Sequence, residues 1–190
     1  MKTAPLFALV AFGALALPAL ADISAHLDPP HSSATFSVRH LTLTKVSGTI
    51  VIKDATIVLG DDHSLKEADA TLDLATIDTG TADRDRDLRS ARWFDVADYP
   101  LMTFKSTSIA PGANGSTHVT GDLSFHGITK PVSFDAAYTG TVTDGRGQTH
   151  VGYSAIFTLD RTNWNLGPGF PALIVGHDVT IDIEVDAIEG

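Results

Sequence analysis

An all-β fold is predicted by three observations. Apolar residues recur at every second position from Ala34 onward, clusters of turn-forming residues separate these runs, and only one segment has helical period. Successive side chains of a strand point to opposite faces, so each alternating run marks a strand with one buried face. The runs add up to about eight antiparallel strands with one short amphipathic helix, arranged as a sandwich or a closed barrel. A barrel of that size has an interior just wide enough for side chains or one slender ligand.

Before the first strand, residues 1–21 read as a cleaved signal peptide. Lys2 provides a positive start, an apolar run follows between Pro5 and Pro18, and Ala19-Leu20-Ala21 is a small-x-small cleavage site. The run falls short of the roughly 20 residues that span a bilayer. Residues 22–190 then form one domain. The net charge of −10, which becomes −11 when Lys2 is lost, excludes a nucleic-acid partner, because a phosphate backbone needs a positive footprint. With no cysteine in the chain, an exported domain has no disulfide to lean on and must rely on packing and hydrogen bonds.

Along the chain, Ala34, Phe36 and Val38 alternate with Thr35, Ser37 and Arg39; Val46, Gly48, Ile50 and Ile52 alternate with Ser47, Thr49 and Lys53. Ala68, Ala70, Leu72 and Leu74 form the next inward set, and Met102 and Phe104 begin another. Val119, Leu123 and Phe125 precede Val132, Phe134, Ala136 and Tyr138. Val151, Tyr153, Ala155, Phe157 and Leu159 mark the penultimate strand. Val179, Ile181, Ile183, Val185 and Ala187 mark the last, with Thr180, Asp182, Glu184 and Asp186 facing water. Between the runs, LGDDHS (59–64), PGANGS (111–116), TDGRGQ (143–148) and NLGPGF (165–170) supply the Gly, Asn, Asp and Pro of tight turns.

The helical segment is DRDRDLRSARWFDVADYP, residues 83–100. Ten of its residues hold four of the seven arginines and three aspartates. Leu88, Ala91 and Phe94 share one face, Asp83 is placed to cap the N-terminus, Asp85 lies four residues before Arg89, and Pro100 ends the segment. Two roles fit it. As a lid, it pairs Arg84 and Arg89 with aspartates and plugs the barrel with Trp93 and Phe94. As the lip of a site, it offers Arg84, Arg86 or Arg92 to a polar head group.

Catalytic patterns are weak. Asp28, His31 and Ser32 are close in sequence, but there is no G-x-S-x-G elbow, and a structural role for His31 at the strand entrance is the better reading. No H-E-x-x-H or EF-hand loop is present; His26, His31 and His40 come nearest to a cluster, and no metal site is expected. Arg161, just before Trp164 and Gly167, reads as a brace whose fork satisfies turn carbonyls.

Four stretches are spread in order along nearly the whole of residues 22–190: DPPHSSATFSVRHL (28–41), DRDRDLRSARWFDVADYPLMTFKS (83–106), GDLSFHGITKPVSF (121–134), and LDRTNWNLG with GHDVTIDIEVDA (159–187). Together they resemble the YceI-like family of exported, lipocalin-like, polyisoprenoid-binding proteins. The resemblance implies an extended eight-stranded antiparallel barrel in the periplasm whose bore holds the tail of an isoprenoid quinone or polyprenyl phosphate. Tail contacts are then expected at Phe36, Val38, Ile50, Leu72, Trp93, Phe94, Phe104, Phe125, Phe134, Tyr138, Tyr153, Phe157 and Ile181. Head-group contacts are expected at Arg84, Asp85 and Arg86, of which Arg84 and Asp85 match the family motif directly. Where the family usually has histidine before the leucine of this motif, the chain has Asp87 before Leu88.

The same resemblance implies a non-enzymatic monomer or homodimer that binds a lipophilic small molecule, needs no cofactor, and contacts the inner membrane or a membrane oxidoreductase transiently. An accessory protein presenting quinone for electron transfer, and a stress-related structural protein with a filled barrel, are the alternatives. Burial of a tail at roughly 0.8 kcal/mol per CH₂ needs no directional contacts, which is consistent with the absence of a catalytic signature.

Overall fold

A computed structural model describes residues 22–190; the segment read as a signal peptide lies outside the described residues. The strands are β1 (Ile23–Leu27), β2 (Ser33–His40), β3 (Thr44–Leu59), β4 (Leu65–Asp78), β5 (Leu101–Pro111), β6 (Thr117–Phe125), β7 (Ile128–Thr143), β8 (Thr149–Asp160) and β9 (Val175–Glu189). The helix α1 spans Ala82–Arg89 between β4 and β5. Neighbouring strands pair antiparallel from β2 and β3 through to β9, and β3–β4 and β2–β9 pairing closes the sheet.

The barrel has eight staves because β1 and β2 together make one. Both lie between β3 and β9, with β1 against Thr56–Leu59 and Ala187–Glu189, and β2 against Thr44–Ile50 and Val175–Glu184. The break falls at Asp28-Pro29-Pro30, where a short 3-10 turn at Pro29–His31 replaces the ladder. Two adjacent prolines supply no N–H, and the residue before a proline is itself restricted, so the strand stops here. β1 has no counterpart among the predicted runs.

Full closure leaves no long exposed sheet edge. Every turn cluster read from the sequence sits between strands, and DGRGQT is the β7–β8 hairpin, with Asp144 accepting from the amides of Arg146 and Gln148. One end of the barrel, called upper here, carries the 41–43 turn, α1 with the following loop, and residues 161–174. The lower end carries the 60–64, 112–116 and 144–148 turns.

Two apolar clusters occupy the interior. The upper one is built around Leu74, Ile77, Trp93, Phe94, Phe125, Trp164 and Leu166. The lower one is built from Leu59, Val119, Val151, Tyr153 and four small residues, Ala25, Ala136, Ala155 and Ala187. Small side chains let opposite walls approach, and Leu59, Val119, Val151 and Ala187 are wholly inaccessible to solvent, so the lower end is sealed. The Phe104, Phe134 and Phe157 rings form an aromatic wall between the two, with centroids 5.5 Å and 4.6 Å apart along the series.

The helix is shorter than the periodicity suggests, and the residues from Ser90 to Phe94 form turns. Asp83 does not cap it. Thr81 occupies the N-cap, and Asp83 accepts a bond from Arg86 in solvent (2.7 Å). Nor does Asp85 pair with Arg89. Its carboxylate turns back to accept from the amide and hydroxyl of Thr79, and Arg89 donates to the carbonyls of Ala75 (2.9 Å) and Ile77 (2.7 Å) at the end of β4. Main-chain groups at a strand end need partners more than exposed charges need each other.

Candidate ligand cavity

Between the two clusters lies a cavity of about 490 Å³, within the size range of small-molecule sites. Its walls come from every stave of the barrel and from α1. Twelve of the thirteen residues expected at a tail line it: Phe36, Val38, Ile50, Leu72, Trp93, Phe94, Phe104, Phe125, Phe134, Tyr153, Phe157 and Ile181. Tyr138 does not. It has the inward phase of β7 but sits beyond the lower cluster, 47% exposed, with its hydroxyl against Thr141 and its ring edge-on to Tyr153. The strand register slips between Tyr138 and Gly140, which ends the regular inward series there.

The three residues expected at a head group separate. Arg84 lines the cavity, held by bonds from Nε to the Thr79 hydroxyl (2.8 Å) and from Nη2 to the Thr79 carbonyl (2.8 Å) and Thr81 hydroxyl (3.1 Å). Among the described residues, these bonds leave Nη1 as its donor edge without a hydrogen-bond partner. Asp85 is buried but off the cavity; the Thr79 hydroxyl and amide hold its carboxyl below the usual carboxylate range. Arg86 points to solvent with Asp83. Consecutive helix residues are about 100° apart, so three in a row cannot address one point.

Asp87, where the family pattern has histidine, lines the cavity. It accepts from the Trp93 indole (3.1 Å) and pairs with Arg92, whose guanidinium lies 5.3 Å from the centre of the Phe170 ring. Trp93 in turn stacks on Phe170 at 5.2 Å. Trp93 and Phe94 therefore act both as closure of the upper end and as cavity wall.

Several lining residues are not marked as inward by the strand pattern, Arg39 among them, which the alternation assigns to the outer face. Arg39 and His40 stand at the upper end of β2, and Trp164, Leu166, Phe170 and Ile174 come from the loop between β8 and β9. Arg161 lines the cavity too, and braces that loop as its position before a turn suggests. It is buried, and its fork donates to the carbonyls of Leu166, Gly167, Phe170, Val175 and Gly176 at 2.5–3.2 Å. Burial pulls its pKa below the ordinary guanidinium value, and the Trp93 ring lies 5.6 Å from its charged centre.

The charged lining groups Arg39, Arg84, Asp87 and Arg161 gather at the upper end, together with the His40 imidazole. The remaining one, Asp69, turns its carboxylate outward to the Ser106 amide (3.0 Å) and Lys105 (3.7 Å). Arg39 and His40 are exposed while still lining the cavity, which marks the mouth. The site is thus an apolar sac with a polar mouth at one end.

Elsewhere, His31 bonds the Asp28 carboxylate (2.8 Å), which raises its pKa, and Ser32 Oγ is engaged by the Asp186 backbone. His26, His31 and His40 are not brought together. Among the described residues, the grouping with metal-ligand spacing is Asp28, His150 and Asp186, whose ligand atoms lie within 4.8 Å of one another on the outer wall, away from the cavity.

A closed eight-staved antiparallel barrel with an apolar interior open at one end is a lipocalin-like architecture. The matching family model, that of the YceI-like domain, covers residues 26–187, and the chain belongs to this family. A UPF0312 protein of Pseudomonas putida is 30% identical, over 93% of this chain and 95% of the relative. Protein YceI of Escherichia coli O157:H7 is 29% identical over 89% and 87% of the two chains. Among solved structures, the YceI protein of Campylobacter jejuni superposes with a TM-score of 0.71 at 27% identity, over 80% of this chain and 90% of that one. A polyisoprenoid-binding domain from Saccharophagus degradans shares the fold, with a TM-score of 0.64 at 16% identity, over 90% of this chain and all of its own.

Proposed function

We propose that this protein binds a polyisoprenoid lipid, of the isoprenoid quinone or polyprenyl phosphate class, and carries or stores it in the periplasm. The observation that carries this reading is the 490 Å³ apolar cavity with its charged groups confined to one mouth. A long hydrocarbon tail needs the sac, and a carbonyl or phosphate head needs donors where the sac meets water. Arg84 Nη1 and the exposed guanidinium of Arg39 are the donors in place. A head that stays at the mouth keeps its hydration on one side, so few protein hydrogen bonds suffice.

The cavity also favours this reading over a filled structural barrel, which would leave no such volume between its clusters. The test is to purify the mature chain from bacterial cells without detergent and to analyse its organic extract by mass spectrometry. An isoprenoid at about one per chain is the expected result. An empty extract, together with failure to take up added quinone, would sink the reading. Cell fractionation would check the compartment, with recovery in the periplasmic fraction expected.

A further inference from the structure

We infer that the mouth carries its own membrane-docking surface: the 41–43 turn and the 170–174 loop lie on an anionic bilayer, with Leu41, Leu43 and Leu173 entering it. The inference rests on the lipid-binding reading and adds to it where the lipid is exchanged. Leu43 is 76% exposed, Leu173 63% and Leu41 43%. Single exposed apolar residues need no explanation, but these three belong to two adjoining loops. The Leu41 amide donates to the Ile174 carbonyl at 3.0 Å, which ties the turn to the loop. Leu41 and Thr42 have left-handed backbone (φ 49° and 59°), a conformation uncommon for residues other than glycine, and here it shapes the exposed tip.

These leucines flank the cavity rather than line it. Their sequence neighbours Arg39, His40, Ile174 and Val175 form the mouth, so apolar surface runs from the tip into the sac. Charge selects the occupant. The chain has 23 acidic residues, yet none lies within 29–53 or 161–177, the two segments that carry these leucines; the aspartates of this end, Asp83, Asp85, Asp87, Asp95 and Asp98, belong to α1 and its following loop, where Arg84, Arg86, Arg89 and Arg92 stand among them. The tip has Arg39 and Lys45, which face each other across β2 and β3, while the lower turns have Asp61, Asp62 and Asp144 with Arg146 as their one arginine or lysine. The leucine tip therefore meets an anionic surface with Arg39 and Lys45 beside it and no carboxylate on its own two loops, and exposed leucines beside cationic side chains match the interfacial region of a bilayer.

The experiment is co-sedimentation of the mature chain with phosphatidylglycerol-containing vesicles, comparing wild type with Leu43→Ser, Leu173→Ser and the double variant. Wild type should bind, and partition should fall about tenfold for each leucine removed. Uptake of a quinone from detergent micelles should stay unchanged, since neither residue lines the cavity. Leu43→Ser alters a side chain with little packing to lose, so a folding failure does not confuse the result. Wild type that stays in the supernatant, or variants that sediment like wild type, would overturn the inference; equal binding to pure phosphatidylcholine vesicles would overturn its electrostatic half. The two readings fail separately. Quinone uptake without docking removes this inference and leaves lipid binding standing, whereas docking with no uptake by any route removes lipid binding.

Discussion

Replacing Ala70 with phenylalanine distinguishes a hollow barrel from a filled one in a single protein. Ala70 is half-buried on β4, paired with Ala55 and Phe104, and its side chain lines the cavity. The substitution adds six ring carbons. In a hollow sac the ring enters empty space and buries its own surface, so stability is unchanged or rises by up to about 2 kcal/mol. In a packed interior the same ring overfills the core and costs about 1–3 kcal/mol. Ligand affinity moves the other way: six carbons of tail displaced at about 0.8 kcal/mol each amount to about 5 kcal/mol, or more than three decades in Kd. Urea denaturation reads the first effect, and quinone quenching of Trp93 and Trp164, which both line the cavity, reads the second. A folded variant that binds quinone as wild type does, or one that loses stability as an overpacked core would, refutes the argument.

Arg84→Met should weaken binding of a quinone by about tenfold to a hundredfold, the worth of a charge-assisted hydrogen bond, while a polyisoprene without a head group binds unchanged; equal losses for both ligands would mean a structural role only. Arg161→Met leaves five carbonyls without their donor and should cost about 4 kcal/mol or more, visible as a lowered denaturation midpoint, and a loss under 1 kcal/mol would show that the loop is braced by other means. Burial pushes the Tyr153 phenol up to about 12, and its hydroxyl donates to the His63 carbonyl at 2.6 Å. The unfolded chain, with phenol near pH 10, loses this proton first. Stability should therefore be level below pH 10 with respect to this group and fall between pH 10 and 12, a slope that Tyr153→Phe removes.

Sequence periodicity assigns a residue to a face of its strand but does not say how far along the barrel it sits. That is why ten inward strand residues of the expected set line the cavity and Tyr138, correct in phase, falls below it. The helix was legible as an amphipathic segment, yet Arg84, Asp85 and Arg86 ended in three environments because adjacent positions on a helix diverge. β1 has the alternation of Ile23, Ala25 and Leu27, but five residues beside a proline pair are too few to stand out from noise. The mouth was the least legible part. His40, Phe170 and Ile174 lie at strand ends or in loops, where no period applies and only the closed barrel brings them together.

The arginine-rich segment that looks like a lip proves to be fastened down. Arg89 holds the end of β4, Arg84 holds the strand exit at Thr79, and the Gly167 amide donates to the Arg92 carbonyl at 3.0 Å, tying this segment to the loop after β8. Trp93 stacked on Phe170 and set over Arg161 completes the join. Opening this side would break several of these contacts together. On the other side of the mouth, the 41–43 turn is tied to its neighbour by the Leu41 amide and otherwise bonds within itself, through Leu43 to His40 and Arg39 to the Leu43 carbonyl at 3.5 Å. Local opening follows the weaker set of contacts. On the proposed lipid-binding function, a tail would enter beside the leucine turn, with Arg84 held still as a fixed donor and the aromatic closure left in place.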